Sequence, residues 1–283
     1  MTTYENSGLT VKEACYLLLR FFLYSIALSI PLVLGKEFIS TYVEHSLVAS
    51  FLSLLMYAFP FLLVIKVGLK KINRDILTDV KEQFPRVDYG VLLLVLFLTP
   101  FIGILHEVLT TNFLPTPPEF LNKLFEDLLK PNFISFLTIA VAPAILEEVL
   151  CRGIILEGLL KRYSPTKSII WSAVLFGAMH LNPWQFVTGL VLGLFMGWIY
   201  YRTKSIYPGM VVHFVNNALA YFTWLFWGDE LTSLEELMTT SAYYLSVVTS
   251  VILCIAGIWY LNKRMPKKAE ITFNEYAEVN AAI

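Results

Sequence analysis

Within a chain that is 57% hydrophobic and 15% charged, a few polar side chains stand inside long apolar runs, and their types and spacing suit hydrolysis. Glu147, Glu148 and Arg152 interrupt a run from Asn132 to about Leu160. Glu148 and Arg152 are four apart, so on a helix they share a face and can pair. Glu147 points about 100° away, which frees its carboxylate for other work. A second run contains Phe176-Gly-Ala-Met-His180, and a third His213-Phe-Val-Asn-Asn217. In the third, His213 and Asn217 fall on one face and Asn216 is turned aside. A carboxylate and an imidazole can deprotonate and orient a water. A second imidazole with an amide can donate hydrogen bonds to the oxyanion that forms when that water attacks a peptide carbonyl. No Ser or Cys has a base partner by spacing, and Cys151 points away from Glu148, so nothing marks a covalent acyl-enzyme. Each group alone has a plainer reading: a buried ion-pair knot at 147–152, an interior histidine at 180, a polar clasp between helices at 213–217.

Positioning these groups takes helices that cross a bilayer, and the composition demands such helices. A soluble domain is about 25% charged, against 15% here, and the mean hydropathy is +0.66. A spanning helix needs roughly 20 apolar residues. Runs of about that kind occur at Ala14–Leu34, Ser46–Ile65, Tyr89–Leu105, Asn132–Leu160, Ser168–Leu181, Trp184–Tyr201, Ile206–Trp227 and Ser241–Leu261. The first holds Arg20 and lacks a small-x-small site before Gly35, so it reads as a span rather than a cleaved signal. Basic residues mark cytoplasmic loops. Sixteen of the 21 Lys and Arg fall in the tail and loops of one side, against Lys36, Lys123 and Lys130 on the other. The loop between the last two runs is purely acidic (Asp229, Glu230, Glu235, Glu236). The expected fold is therefore an all-α polytopic membrane helix bundle of about eight transmembrane helices, with both termini cytoplasmic.

The organisation expected from this pattern has three parts. Residues 1–130 form a three-span region with amphipathic interfacial segments, 131–227 a core that holds the polar residues, and 228–283 the last span and a cytoplasmic tail. The interfacial segments are Phe120, Leu121, Leu124, Phe125, Leu128 and Leu129 on the outer side, and Leu69, Ile72, Ile76, Val80 and Phe84 in the basic loop. His45 and His106 fall at the ends of runs and read as interfacial residues. Gly189, Gly193 and Gly197 make a ridge that lets another helix approach closely. A net charge of −1 gives no sign of a nucleic-acid partner, and three cysteines without CxxC spacing suggest neither a zinc knuckle nor a disulfide framework.

The three polar groups carry a family resemblance. Glu147-Glu148-Val-Leu-Cys-Arg152 resembles the EExxxR motif of the type II CAAX prenyl endopeptidases, the CPBP or Abi family. Phe176–His180 resembles its FxxxH motif, and His213–Asn217 its HxxxN motif, in the same order over about Pro131 to Trp227. The family comprises intramembrane proteases, with relatives in bacteriocin self-immunity and lysostaphin resistance. The resemblance implies an endopeptidase acting on a membrane-associated or lipidated peptide or protein. It implies Glu147 as general base, His180 as a holder of the water, His213 and Asn217 as the oxyanion site, and Glu148 and Arg152 as supporting residues. A cofactor-free glutamate mechanism is the expectation, with zinc at Glu147, His180 and His213 the alternative; the zinc motif HExxH is absent. A non-catalytic scaffold or immunity protein of the same family, and a transporter with a polar midplane site, are the rival readings. The partners expected are a peptide substrate and the lipid bilayer, and the location is an integral, multi-pass one, the plasma membrane in a prokaryote. One difficulty stands: Glu147 and His213 lie toward the basic side, whereas His180 falls 18–20 Å along its own run at about 1.5 Å per residue. A helix that is tilted, or broken near Gly177, or a membrane boundary that starts later than Ser168, would reconcile them.

Overall fold

The computed structural model describes residues 8–42, 46–73, 87–228 and 233–265, and all regular structure among them is helical. In chain order the helices are α1 (Val11–Tyr42), α2 (Ser46–Lys71), α3 (Tyr89–Phe113), α4 (Glu119–Leu128), a long composite helix α5 (Phe133–Leu160), α6 (Pro165–Ala178), α7 (Pro183–Thr203), α8 (Tyr207–Trp227) and α9 (Thr240–Arg264), with a short 3₁₀ turn at Leu234–Leu237. The starts follow local chemistry. Thr10 and Glu13 form a reciprocal capping box ahead of α1. The side chains of Asp88, Asn132, Asn182 and Thr239 accept N–H groups at the heads of α3, α5, α7 and α9. Pro165, Pro183 and Pro208 sit in first turns, where a missing N–H costs nothing.

Six helices (α1, α2, α3, α5, α7 and α9) contain stretches long and apolar enough to cross a membrane. The all-α polytopic bundle therefore stands, with α6 and α8 outside that set. Fourteen residues carry α6 only about 21 Å, short of a bilayer core, and α8 is made more polar by His213, Asn216 and Asn217. The outer surface segment is α4. The basic one falls mainly on 74–86, outside the described residues, as does His45. The third span does not stop at Leu105. It continues through His106 and Glu107 to Phe113, where Pro115, Pro117 and Pro118 end it. His106 is consequently an intrahelical residue rather than one at a loop end.

Two features of the centre matter for the site. First, α6 and α7 form a close hairpin across the glycine ridge. A Cβ at Gly189 would lie 2.9 Å from Gly177 Cα, and one at Gly193 3.0 Å from Ala173 Cα, so only glycine permits this approach. Second, α5 is not a uniform α-helix. Leu137–Val141 and Val149–Leu156 are wound as π-helix, flanking an α-helical Ala142–Glu148. Pro143 accounts for part of this: it has no N–H for the carbonyl of Ile139 four residues earlier, and its ring crowds that oxygen.

Candidate active site

Glu147 and Glu148 sit at the end of the α-helical piece of α5 and both are buried, at 6% and 0% exposure. They have different neighbours. Glu148 Oε1 accepts a 2.5 Å charge-assisted bond from Arg152 Nη1, as the four-residue spacing requires. The same oxygen lies 3.3 Å from His213 Nδ1. Arg152, fully buried, also reaches the carbonyl of Gly193 at 3.4 Å and stacks over the Phe176 ring at 4.3 Å. Glu147 is turned away from Arg152. Its Oε1 accepts the hydroxyl of Tyr57 from α2 at 2.6 Å, while Oε2 has no hydrogen-bond partner and faces His213 Nε2 at 3.9 Å. One carboxylate is committed to structure; the other is held at one oxygen and open at the second.

Phe176, the first residue of Phe176–His180, meets Arg152 with its face and both histidines edge-on: the His180 and His213 rings each stand 5.5 Å from it, at 88° and 84°. His180 reaches this depth because α6 ends at Ala178. Met179 and His180 form a turn, Leu181 takes a left-handed φ of 58°, and α7 begins at Pro183. The break thus falls just beyond Gly177, and a short α6 replaces a full-length span. His180 Nδ1 lies 3.0 Å from the carbonyl of Phe176. A carbonyl only accepts, so Nδ1 carries the proton and Nε2 of the neutral ring is left as an acceptor. Asn182 holds the turn by donating to the His180 carbonyl at 3.1 Å.

Asn217 is anchored by the irregularity of α5. Its Nδ2 donates to the carbonyl of Ile139 at 3.0 Å, the oxygen whose α-helical donor four residues on would be Pro143, which has no N–H. Its Oδ1 accepts from Asn216 Nδ2 at 3.2 Å. The structure thus joins Glu147, Glu148, Arg152 and His213 directly, brings His180 in through Phe176, and fixes Asn217 on α5. The three residues of the zinc alternative, Glu147, His180 and His213, do not converge as a ligand set. Among the described residues no trio of His, Cys, Asp or Glu does.

Two contributors escape the motif reading. Tyr57 is a neutral phenol on an apolar span, indistinguishable by sequence from an aromatic that packs or sits at an interface. His106 lies 3.3 Å from Asn216 Oδ1, and its place in the bundle depended on where α3 ends.

Residues 129–219 match the family model described as type II CAAX prenyl endopeptidase Rce1-like. The match covers about a third of the chain and takes in Glu147, Glu148, Arg152, His180, His213 and Asn217, leaving Tyr57 and His106 outside. No curated protein and no solved structure matches the chain. The matching family is one of proteases, which supports a hydrolase, and the six apolar helices support an integral membrane protein. Over residues 129–219 the chain is similar to the type II CAAX prenyl endopeptidase Rce1-like proteins, which supports membership of the CPBP/Abi family.

Proposed function

We propose that the chain is an intramembrane endopeptidase that hydrolyses a peptide bond of a membrane-associated or lipidated peptide by a glutamate-activated water, with residues 131–227 as its catalytic core. The observation that carries this reading is the half-held carboxylate of Glu147, pinned at Oε1 by Tyr57 and unpartnered at the buried Oε2. A water at Oε2 gives one proton to Glu147 as it attacks the scissile carbonyl, and its other O–H, which stays on the oxygen, donates a hydrogen bond to His180 Nε2. The carbonyl oxygen becomes an oxyanion that takes hydrogen bonds from Asn217 Nδ2 and from an N–H at His213 Nε2. Glu148 Oε1 accepts a hydrogen bond from His213 Nδ1 and, with Arg152, orients that ring. Glu147 then returns its proton to the leaving amine, which closes the cycle. The side chains alone supply the base and the oxyanion donors, so the mechanism runs without a metal. In a prokaryotic host the plasma membrane is its location.

The test uses purified, detergent-solubilised protein and a quenched fluorescent peptide bearing an S-farnesyl cysteine three residues from its C-terminus, beside the same peptide without the lipid. Cleavage by the native protein, unchanged by chelator and reduced at least about a hundredfold by Glu147→Gln, is expected. Near-normal turnover by Glu147→Gln and Glu147→Ala would refute the assignment. Loss of activity on chelation, restored by zinc, would refute the metal-free step.

A further inference from the structure

His106 belongs to α3, outside the family match, and a row of hydrogen bonds connects it to the amide of Asn217. Thr188 Oγ1 of α7 lies 3.3 Å from His106 Nδ1, and His106 Nε2 lies 3.3 Å from Asn216 Oδ1. Asn216 Nδ2 donates to Asn217 Oδ1 at 3.2 Å, and Asn217 Nδ2 donates to the Ile139 carbonyl at 3.0 Å. The last acceptor fixes the polarity of the whole row. A backbone carbonyl can only accept, so Asn217 must turn its Nδ2 toward Ile139 and its Oδ1 toward Asn216. Asn216 must then present N–H to Asn217 and its own oxygen to His106. His106 must therefore carry its proton on Nε2, and Nδ1 is left to accept the Thr188 hydroxyl, whose other acceptor in reach is the carbonyl of Trp184 at 3.3 Å.

We propose that His106 is a positioning residue for the oxyanion site: through Asn216 it holds the Asn217 amide so that one Nδ2 hydrogen is anchored on Ile139 and the other points to the reacting carbonyl. The proposal rests on the reading of Asn217 as an oxyanion donor. Pro143 keeps the anchor open, and His106 keeps the amide from rotating about it. Such a residue touches neither substrate nor water. Its loss lowers the rate of the chemical step and leaves ground-state binding alone, because the oxyanion exists only beyond the Michaelis complex.

The experiment compares His106→Leu, His106→Gln (which keeps an N–H donor for Asn216), Asn217→Ala and the His106→Leu/Asn217→Ala pair on the farnesylated peptide. Expected are a fall in kcat of about tenfold or more for His106→Leu with KM within about twofold, recovery of most of it in His106→Gln, and no further loss when His106→Leu is added to Asn217→Ala. Normal kcat in His106→Leu, or an equal loss in both backgrounds, would overturn the relay. Near-normal kcat in Asn217→Ala would instead overturn the oxyanion reading. A second measurement is independent of turnover. With histidine and asparagine side chains ¹⁵N-labelled, His106 should show the Nε2–H tautomer and His180 the Nδ1–H tautomer. The Asn217 amide signal should move in His106→Leu and return in His106→Gln. If His106→Leu does not accumulate folded, Thr188→Val reads the same relay through the His106 ring nitrogens. An Nδ1–H tautomer at His106, or an Asn217 signal indifferent to His106, overturns the proposal whatever the activity.

Discussion

Replacing Arg152 by methionine removes a cation with no exposed surface from against Glu148, which has none either. The 2.5 Å bond to Glu148, the contact to the Gly193 carbonyl and the stack on Phe176 all disappear. Glu148 keeps only His213 Nδ1 at 3.3 Å. Breaking a buried pair by deleting one partner costs about 3–5 kcal/mol, because the remaining charge is stranded. Loss of a desolvated cation–π contact adds up to about 2 kcal/mol, of which methionine on the same ring restores about 0.3–1.5 kcal/mol. Arg152→Met should therefore lose roughly 3–5 kcal/mol, a large share of a native stability of about 5–15 kcal/mol. Adding Glu148→Gln removes the stranded charge yet keeps an acceptor for His213, so the double variant should sit within about 1–2 kcal/mol of the native protein. Unfolding in mixed micelles with increasing dodecyl sulfate, followed by tryptophan fluorescence, measures the four corners of this cycle. A cost below about 1 kcal/mol for Arg152→Met, or a double variant as unstable as the sum of the singles, would refute the argument that Glu148 and Arg152 are held as mutually neutralising charges.

Other outcomes follow from the same contacts. Tyr57→Phe leaves the buried Glu147 carboxylate without its 2.6 Å donor; a bond to a charged group contributes about 1.5–3 kcal/mol, so kcat should fall about ten- to a hundredfold in the peptide assay, and an unchanged kcat would remove Tyr57 from the site. Gly209→Ala puts a Cβ 2.6 Å from Glu148 Oε2, and the displaced carboxylate should cost both stability and turnover; a variant with native unfolding and rate would show that the carboxylate has room to move. At the other end of the pH scale of interest, hydrogen bonds from Arg264, then from the Gly90 N–H, hold the Asp88 carboxyl below its ordinary value. Stability from this clasp is present above the unfolded carboxyl's pKa and is lost as the pH falls through the lowered folded value. Asp88→Asn should flatten that part of an acid-unfolding curve, and identical curves for the two proteins would contradict it.

The motif residues were legible because charge is scarce in this chain. Glu147, His180 and His213 stand out against apolar helices, and the four-residue spacing of Glu148 and Arg152 reads directly as a pair. Depth along a helix was harder to read. An apolar run that ends at Leu181 reads as one span, whereas the chain turns after Ala178 and the hairpin carries the His180 ring inward. The end of α3 is obscured for a related reason: a polar pair after an apolar run resembles the end of a helix, but Val108 to Phe113 continue it until the prolines stop it. The π-wound segments leave only one mark in the sequence, Pro143, whose effect depends on a side chain 74 residues later, Asn217, catching the carbonyl it releases. Tyr57 left none, since its hydroxyl acquires meaning only once α2 lies against α5.

Tyr57 and His106 also bear on how this protein can be taken apart. The segment 129–219 contains every motif residue, and by sequence it looks like a self-sufficient cassette. The phenol on the glutamate and the imidazole behind the asparagine come from α2 and α3, so the cassette's borders are not the borders of its chemistry. A chimera that joins this segment to the leading helices of a relative would keep all three motifs intact. It would inherit the orientation of Glu147 and Asn217 only if the donor's second and third helices supply a hydroxyl and an N–H at the same two places.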